Sequence, residues 1–142
     1  MENIGREPST LHGTVHGPGY SGARAITRQI SLPKGSRLAS RFHVFSIEWS
    51  PELIEFSLDR HPYAKVGRDS MPVGVRWVFD QPFFLLLNLA VGGDWPGNPN
   101  GSTRFPQTML VDWVRVWKRA SRAERAALNV DHVIALDLVG RR

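Results

Sequence analysis

Three short segments alternate apolar and polar residues with a period of two, and no other feature of the chain constrains its fold as strongly. Leu53 to Leu58 sets Ile54, Phe56 and Leu58 on one face and Glu55 and Ser57 on the other. Phe42 to Trp49 alternates His43, Phe45, Ile47 and Trp49 against Phe42, Val44, Ser46 and Glu48. Met109 to Trp117 alternates Met109, Val111, Trp113, Arg115 and Trp117 against Leu110, Asp112, Val114 and Val116, the clearest strand pattern in the chain. Successive side chains of a strand point to opposite faces, so each segment reads as a strand with one face on a core. Glycine, proline and other turn formers punctuate the chain at intervals of about 8 to 15 residues, the spacing of an all-β domain. The body therefore reads as a β-sandwich.

Further strands are expected at His12 to His16 and Ala23 to Ile30, flanking the Gly17-Pro18-Gly19 loop, and at His61 to Val66, reached from Leu58 by a hairpin turn at Asp59-Arg60. Phe83 to Val91 is apolar on both faces apart from Asn88, as a central strand covered above and below would be. Beyond Trp117 the composition changes. Ala120 to Leu128 is rich in alanine and arginine, with helical propensity, and Val130 to Val139 is apolar without a clear period. The expected division is a domain over residues 1 to 117 and a basic tail over 118 to 142, helical in its first part.

Several function classes are excluded early. The chain has no cysteine, which removes disulfide scaffolds, thiol catalysis and Cys-ligated zinc together. The run Phe83 to Leu87 is interrupted at Asn88, far short of the roughly 20 apolar residues of a spanning helix, so no membrane partner is expected. Met1 to Thr10 holds Glu2, Arg6 and Glu7 and does not read as a secretory signal, which leaves localisation open. The net charge of +5 suggests nucleic acid until it is located. Residues 118 to 142 carry six basic against three acidic side chains, hence three of those five charges. The remaining lysines and arginines are scattered singly, without the aromatic interleaving of single-strand binders, and no nucleic-acid partner is expected.

Four segments together resemble glycoside hydrolase family 16, the laminarinase-like β-1,3-glucanases. They are His12-Gly13-Thr14-Val15-His16-Gly17-Pro18-Gly19-Tyr20-Ser21-Gly22, Phe42 to Trp49, Trp77 to Gly97 with Gly92-Gly93-Asp94-Trp95-Pro96-Gly97 at its end, and Met109 to Trp117. The resemblance covers about residues 1 to 117 and implies a concanavalin A-like jelly roll of two antiparallel sheets with a concave glucan-binding face, here incomplete because N-terminal strands are missing. It also implies retaining endo-hydrolysis of β-1,3 or mixed-linkage glucans, a β-glucan partner, a monomer, no required cofactor and a family that is typically secreted.

The family's catalytic signature is E-x-D-x-x-E, commonly E-I-D-I-M-E-N, and this chain begins Met1-Glu2-Asn3. By resemblance Glu2 is the last glutamate, the general acid/base, while the nucleophile and the assisting aspartate would precede Met1. A retaining glycosidase needs two carboxyl groups about 5 to 5.5 Å apart, one to attack the anomeric carbon and one to protonate the leaving oxygen and then activate water. Glu2 alone cannot form the glycosyl-enzyme intermediate, so this chain is expected to be inactive by itself. The strand end at Glu2 is expected to fray, and the α-amino charge to favour the ionised carboxylate. Two other readings stand beside the enzyme: a non-catalytic glucan-binding remnant, and a non-functional fragment.

Other residues carry paired readings. His12 and His16 share a strand face, but no third ligand follows with metal spacing, so no metal is expected there. By resemblance His16 lies near the acid/base glutamate, where it would bind sugar or orient the carboxyl; its alternative is to satisfy a loop carbonyl. Asn88 is either a core hydrogen-bonding amide or a sugar contact. Trp95, a large aromatic on a Gly/Pro-rich loop, suits the apolar face of a pyranose, with loop packing as the alternative. Trp49, Trp113 and Trp117 read as core or convex-face residues, and Trp77 as either. Asp112 matches a position that helps hold a structural calcium in some family members, against the simpler reading of a solvent-facing aspartate.

Overall fold

The computed structural model describes residues 1 to 118 in full and the backbone of Ile134–Arg141. Among the described residues seven strands form two antiparallel sheets: β1 (Thr10–Val15), β2 (Ile26–Ser31), β3 (His43–Trp49), β4 (Leu53–Leu58), β5 (His61–Gly67), β6 (Thr108–Val116) and β7 (Ile134–Arg141). β1 and β2 pair as one sheet, and the other has the order β5-β4-β3-β7-β6. This is the layered all-β sandwich expected from the alternation.

Register confirms the faces. Phe45 lies opposite Leu58, Ile47 opposite Phe56, and Trp49 opposite Ile54, so the apolar sets of β3 and β4 share one side. On β5, Val66 faces Ile54 and Ala64 faces Phe56. That side meets β1 and the loop after it. Val15, Tyr20, Ile54, Phe56, Ala64, Val66 and Trp77 form the main core, and Leu11, Leu38 and Leu58 a second cluster beside it. Trp77 resolves as a core residue whose Nε1–H donates to the Pro51 carbonyl at 2.7 Å. Trp49 is half-buried against the same core and its Nε1–H donates to the Phe79 carbonyl at 2.6 Å.

A register shift between Phe56 and Ser57 gives β5 one extra residue, Tyr63, whose ring lies 6.2 Å from that of Phe56. β1 crosses this pair at Gly13, where a Cβ would sit 2.8 Å from Tyr63 Oη and 2.9 Å from Phe56 Cγ. Only glycine lets the two sheets approach here. The β4–β5 turn is the expected Asp59-Arg60 pair, both with positive φ (50° and 68°), the geometry of a two-residue primed turn. Asp59 tolerates it because its carboxylate accepts from Val44 N–H at 2.9 Å, His43 Nδ1–H at 2.8 Å and an Arg41 guanidinium N–H at 3.0 Å. Burial pushes this carboxyl up, but the hydrogen bonds from Val44, His43 and Arg41 outweigh it and hold the pKa below the usual value.

Three expectations need correction. Phe83 to Val91 is not a paired strand: all of residues 81 to 91 are exposed and none belongs to either sheet. An apolar run on both faces states what a central strand requires, but no strand among the described residues lies beside it. Ala23 and Arg24 belong to a short 3-10 turn, Gly22–Arg24, so β2 starts only at Ile26, once Ala25 has bonded back to Gly22. The alternation of β6 breaks at Asp112, where a bulge leaves that residue without a partner between Val111 and Trp113. The expected helix at Ala120 to Leu128 lies outside the described residues. Ile134–Arg141, which overlaps the run Val130 to Val139 read from sequence as apolar without a clear period, is the strand joining β3 to β6.

Candidate functional site

With Leu11 and Val15 in the core, strand alternation turns Thr10, His12 and Thr14 to the opposite face of β1. Their partners on β2 are Ser31, Gln29 and Thr27. The face is therefore polar throughout, with Thr14 Oγ1 3.1 Å from Thr27 Oγ1 and Thr10 Oγ1 3.1 Å from Ser31 Oγ.

Glu2 joins the other edge of β1. Its N–H donates to the His12 carbonyl at 2.8 Å, and the His12 N–H donates back to the Glu2 carbonyl at 2.8 Å. Directly opposed residues of an antiparallel pair share a face, so the Glu2 side chain projects beside His12. Met1 turns the other way and packs against both core clusters. Burial lowers the pKa of its α-amino group, partly offset by the Glu2 charge. Asn3 Nδ2 donates to the carbonyls of Glu7 at 3.1 Å and Thr10 at 2.8 Å. At the strand end where fraying is expected, two reciprocal backbone bonds pair Glu2 with His12 and the Asn3 amide bonds to the Thr10 carbonyl.

His12 is the centre of the group, with 4% of its surface exposed. Its Nε2–H donates to Glu7 Oε2 at 3.0 Å, and Trp95 lies against its ring at a centroid distance of 4.8 Å and an interplanar angle of 73°. Trp95 reaches it from a tight loop in which Gly97 N–H donates to the Gly93 carbonyl at 2.9 Å. Gly93 and Gly97 both take positive φ (129° and 83°), which side-chain-bearing residues avoid. The indole remains 39% exposed, so it covers His12 and still offers open aromatic surface.

Of the residues singled out from sequence, Glu2 and Trp95 meet through His12. His16 lies just past β1, exposed and without a hydrogen bond to another described residue. Asn88 sits on the exposed ribbon of residues 81 to 91, also without such a bond, so it is not a buried core amide. Asp112 is an exposed bulge residue, and among the described residues no three histidine, aspartate or glutamate side chains are grouped as metal ligands. Trp113 is half-buried with the Arg115 guanidinium 4.7 Å from its ring centroid. Sequence reasoning considered His12 only as a metal ligand. Its bridging position depends on the Glu2 register and on a loop more than 80 residues away, neither of which strand periodicity encodes.

The sequence model of glycosyl hydrolases family 16 matches residues 1–115. The chain is similar to a beta-glucanase of Rhodothermus marinus, 36% identical over 123 residues, covering 83% of this chain and 43% of that protein. Among solved structures, an endo-beta-1,3-glucanase from Pyrococcus furiosus superposes with a TM-score of 0.71 at 40% identity, over 97% of this chain and 44% of its own. The laminarinase catalytic domain from Thermotoga maritima MSB8 does so with a TM-score of 0.70 at 34% identity, over 99% of this chain and 48% of its own. The chain thus spans less than half the length of each of these proteins. Sequence, sheet arrangement and these likenesses agree: the chain belongs to glycosyl hydrolases family 16.

Proposed function

We propose that this chain forms one side of a β-glucan cleft used for retaining endo-hydrolysis of β-1,3 or mixed-linkage glucans. Glu2 is the general acid/base, Trp95 the platform under a pyranose ring, and His16 and Asn88 further sugar contacts. The observation that supports this best is the single outward face shared by Glu2, His12 and Trp95, set against a family likeness to β-glucanases.

The chemistry assigns Glu2 a definite share. In the first step it would donate its proton to the glycosidic oxygen as the sugar–oxygen bond breaks. In the second it would take a proton from the water that attacks the glycosyl-enzyme ester. Neither step proceeds without a nucleophilic carboxylate on the opposite side of the anomeric carbon. The E-x-D part of the family signature is not among these residues, so the chain alone binds glucan and does not cleave it. Acid/base hydrolysis of this kind requires no cofactor.

Binding without catalysis is a second function open to the same geometry. The polar rows Thr10–Ser31, His12–Gln29 and Thr14–Thr27 and the open part of the Trp95 ring need no nucleophile to hold a sugar. The test is reducing-sugar release from laminarin by the purified chain. None is expected; release that disappears in Glu2→Gln would overturn the assignment of the chain as inactive alone.

A further inference from the structure

The loop joining β2 to β3 holds a cleft of about 380 Å3 that shares no residue with the Glu2, His12 and Trp95 group. The loop is pinned at both ends. Leu32 N–H donates to the Ser9 carbonyl at 2.8 Å, and Leu38 N–H to the Pro8 carbonyl at 2.9 Å, with the Leu38 side chain buried. Between them Ser36 N–H donates to the Pro33 carbonyl at 3.0 Å in a turn where Gly35 takes a φ of 88°. A short 3-10 turn, Leu38–Ser40, follows, flanked by Arg37 and Arg41. Ser40 donates to the Arg37 carbonyl twice, from N–H at 3.1 Å and from Oγ at 2.6 Å, which fixes the backbone spacing of the two arginines.

Both arginines line the cleft with Ser36 and His43, while Leu32 and Pro33 give it an apolar wall; no carboxylate among the described residues lines it. Arg41 uses two of its five N–H donors, on Asp59 and on the Phe42 carbonyl. The Arg37 guanidinium makes no hydrogen bond or ion pair with a described residue. Two guanidinium charges against the one Asp59 carboxylate leave the group positive. His43 is the buried member, 1% exposed. Its Nδ1–H is taken by Asp59, and its Nε2 has no partner among the described residues. In the neutral ring that nitrogen is an acceptor, and a buried acceptor without a donor is costly.

We propose that this cleft binds a sugar acid, a pyranose carrying a carboxylate, of the uronic acid class. Arg37 and Arg41 clamp the carboxylate, and rotamer changes in these exposed side chains admit a ring hydroxyl that donates to His43 Nε2. Leu32 and Pro33 pack on the apolar face of the ring. The volume falls in the range of small-molecule sites, about 300 to 1,000 Å3, and exceeds what an inorganic ion fills. A neutral sugar would leave the Arg37 charge unanswered, and a bare anion would leave His43 Nε2 without a donor. The site needs neither Glu2 nor hydrolysis, so it stands apart from the proposed function.

The test titrates the full chain with glucuronate, glucose, acetate and inorganic sulfate while backbone amide shifts are followed by NMR. Glucuronate should shift the amides of residues 32 to 43 saturably, and the other three should each bind about tenfold or more weakly. Arg37→Ser should weaken glucuronate by about tenfold or more with an unchanged melting temperature, because the guanidinium holds no described residue in place. Arg37→Lys should keep part of the affinity, retaining the charge without the planar fork. A glucuronate-containing disaccharide separates the two sources of the same chemistry: binding as tight as the monosaccharide supports a residue within a polysaccharide, and weaker binding supports the free acid. Glucose binding as well as glucuronate, or full affinity in Arg37→Ser, would overturn the carboxylate clamp. Acetate or sulfate binding as well as glucuronate would reduce the site to a bare anion pocket and overturn the sugar-acid assignment. Shifts confined to Glu2, His12 and Trp95, or no saturable shift at all, would overturn the site itself.

Discussion

Trp95 meets His12 nearly perpendicularly, at 73° between rings whose centroids lie 4.8 Å apart, and so joins a loop to the one strand that carries Glu2 on its edge. The loop thereby belongs to the polar face of β1 despite its distance in sequence. If Trp95 is a sugar platform, Trp95→Ala should weaken laminarin binding by about tenfold, or ~1.4 kcal/mol. Affinity electrophoresis on laminarin gels checks this. Because the indole is partly exposed, the melting temperature should change far less than the affinity.

Gly13→Ala should destabilise the fold by about 1 to 3 kcal/mol through overpacking. Its Cβ would enter the space of Phe56 and Tyr63, which are fixed by the core and by the bulge in β5. Urea denaturation should show a lower midpoint. The double variant Gly13→Ala/Tyr63→Phe should recover part of the loss by removing Tyr63 Oη, one of the two close neighbours.

Asp59 ties stability to acid pH. Its pKa in the folded chain lies below the ordinary aspartate value of 3.8. Its contribution is therefore fully present above that value and is lost as pH falls through the lower, folded value. Asp59→Asn should flatten the acid limb of stability below about pH 4 and lower stability at neutral pH by about 1 to 3 kcal/mol, because His43 and Arg41 lose a charged acceptor. Thermal melts across that range distinguish this variant from one that is destabilised equally at every pH.

Trp77→Phe should cost about 1 to 3 kcal/mol, since it strands the Pro51 carbonyl and leaves space in the main core. Trp49→Phe should cost less, because Trp49 is only half-buried. Comparing the two denaturation midpoints checks the order.

Much of the second sheet was legible in sequence because β3 and β4 each carry one uninterrupted apolar face, and the Asp59-Arg60 turn is short enough to pair them locally. Phe83 to Val91 was misread for the opposite reason. Its composition specifies burial on both sides, and burial depends on neighbours that no local pattern contains. Asp112 shows a related limit: period-two alternation cannot announce the single residue at which a bulge restarts the count. Glu2 and His16 came from likeness to a family motif, whereas Asn88 and Trp95 stood out locally, as the one amide in an apolar run and a large aromatic on a Gly/Pro-rich loop. His12 escaped because its importance comes from three separate contacts, to Glu2, Glu7 and Trp95, and only the fold brings these together.

The β3–β4–β5 meander spans His43–Gly67 and closes through two tight turns, one of them pinned by Asp59 to Arg41, His43 and Val44. Such near-neighbour contacts need little loop closure, whereas β7, and through it β6, joins the sheet only by pairing Ile134 with the distant Ile47. Structure should therefore spread outward in time from this hairpin pair. Its central amides, at Ile47 and Phe56, would be the last to exchange with solvent when the molecule opens.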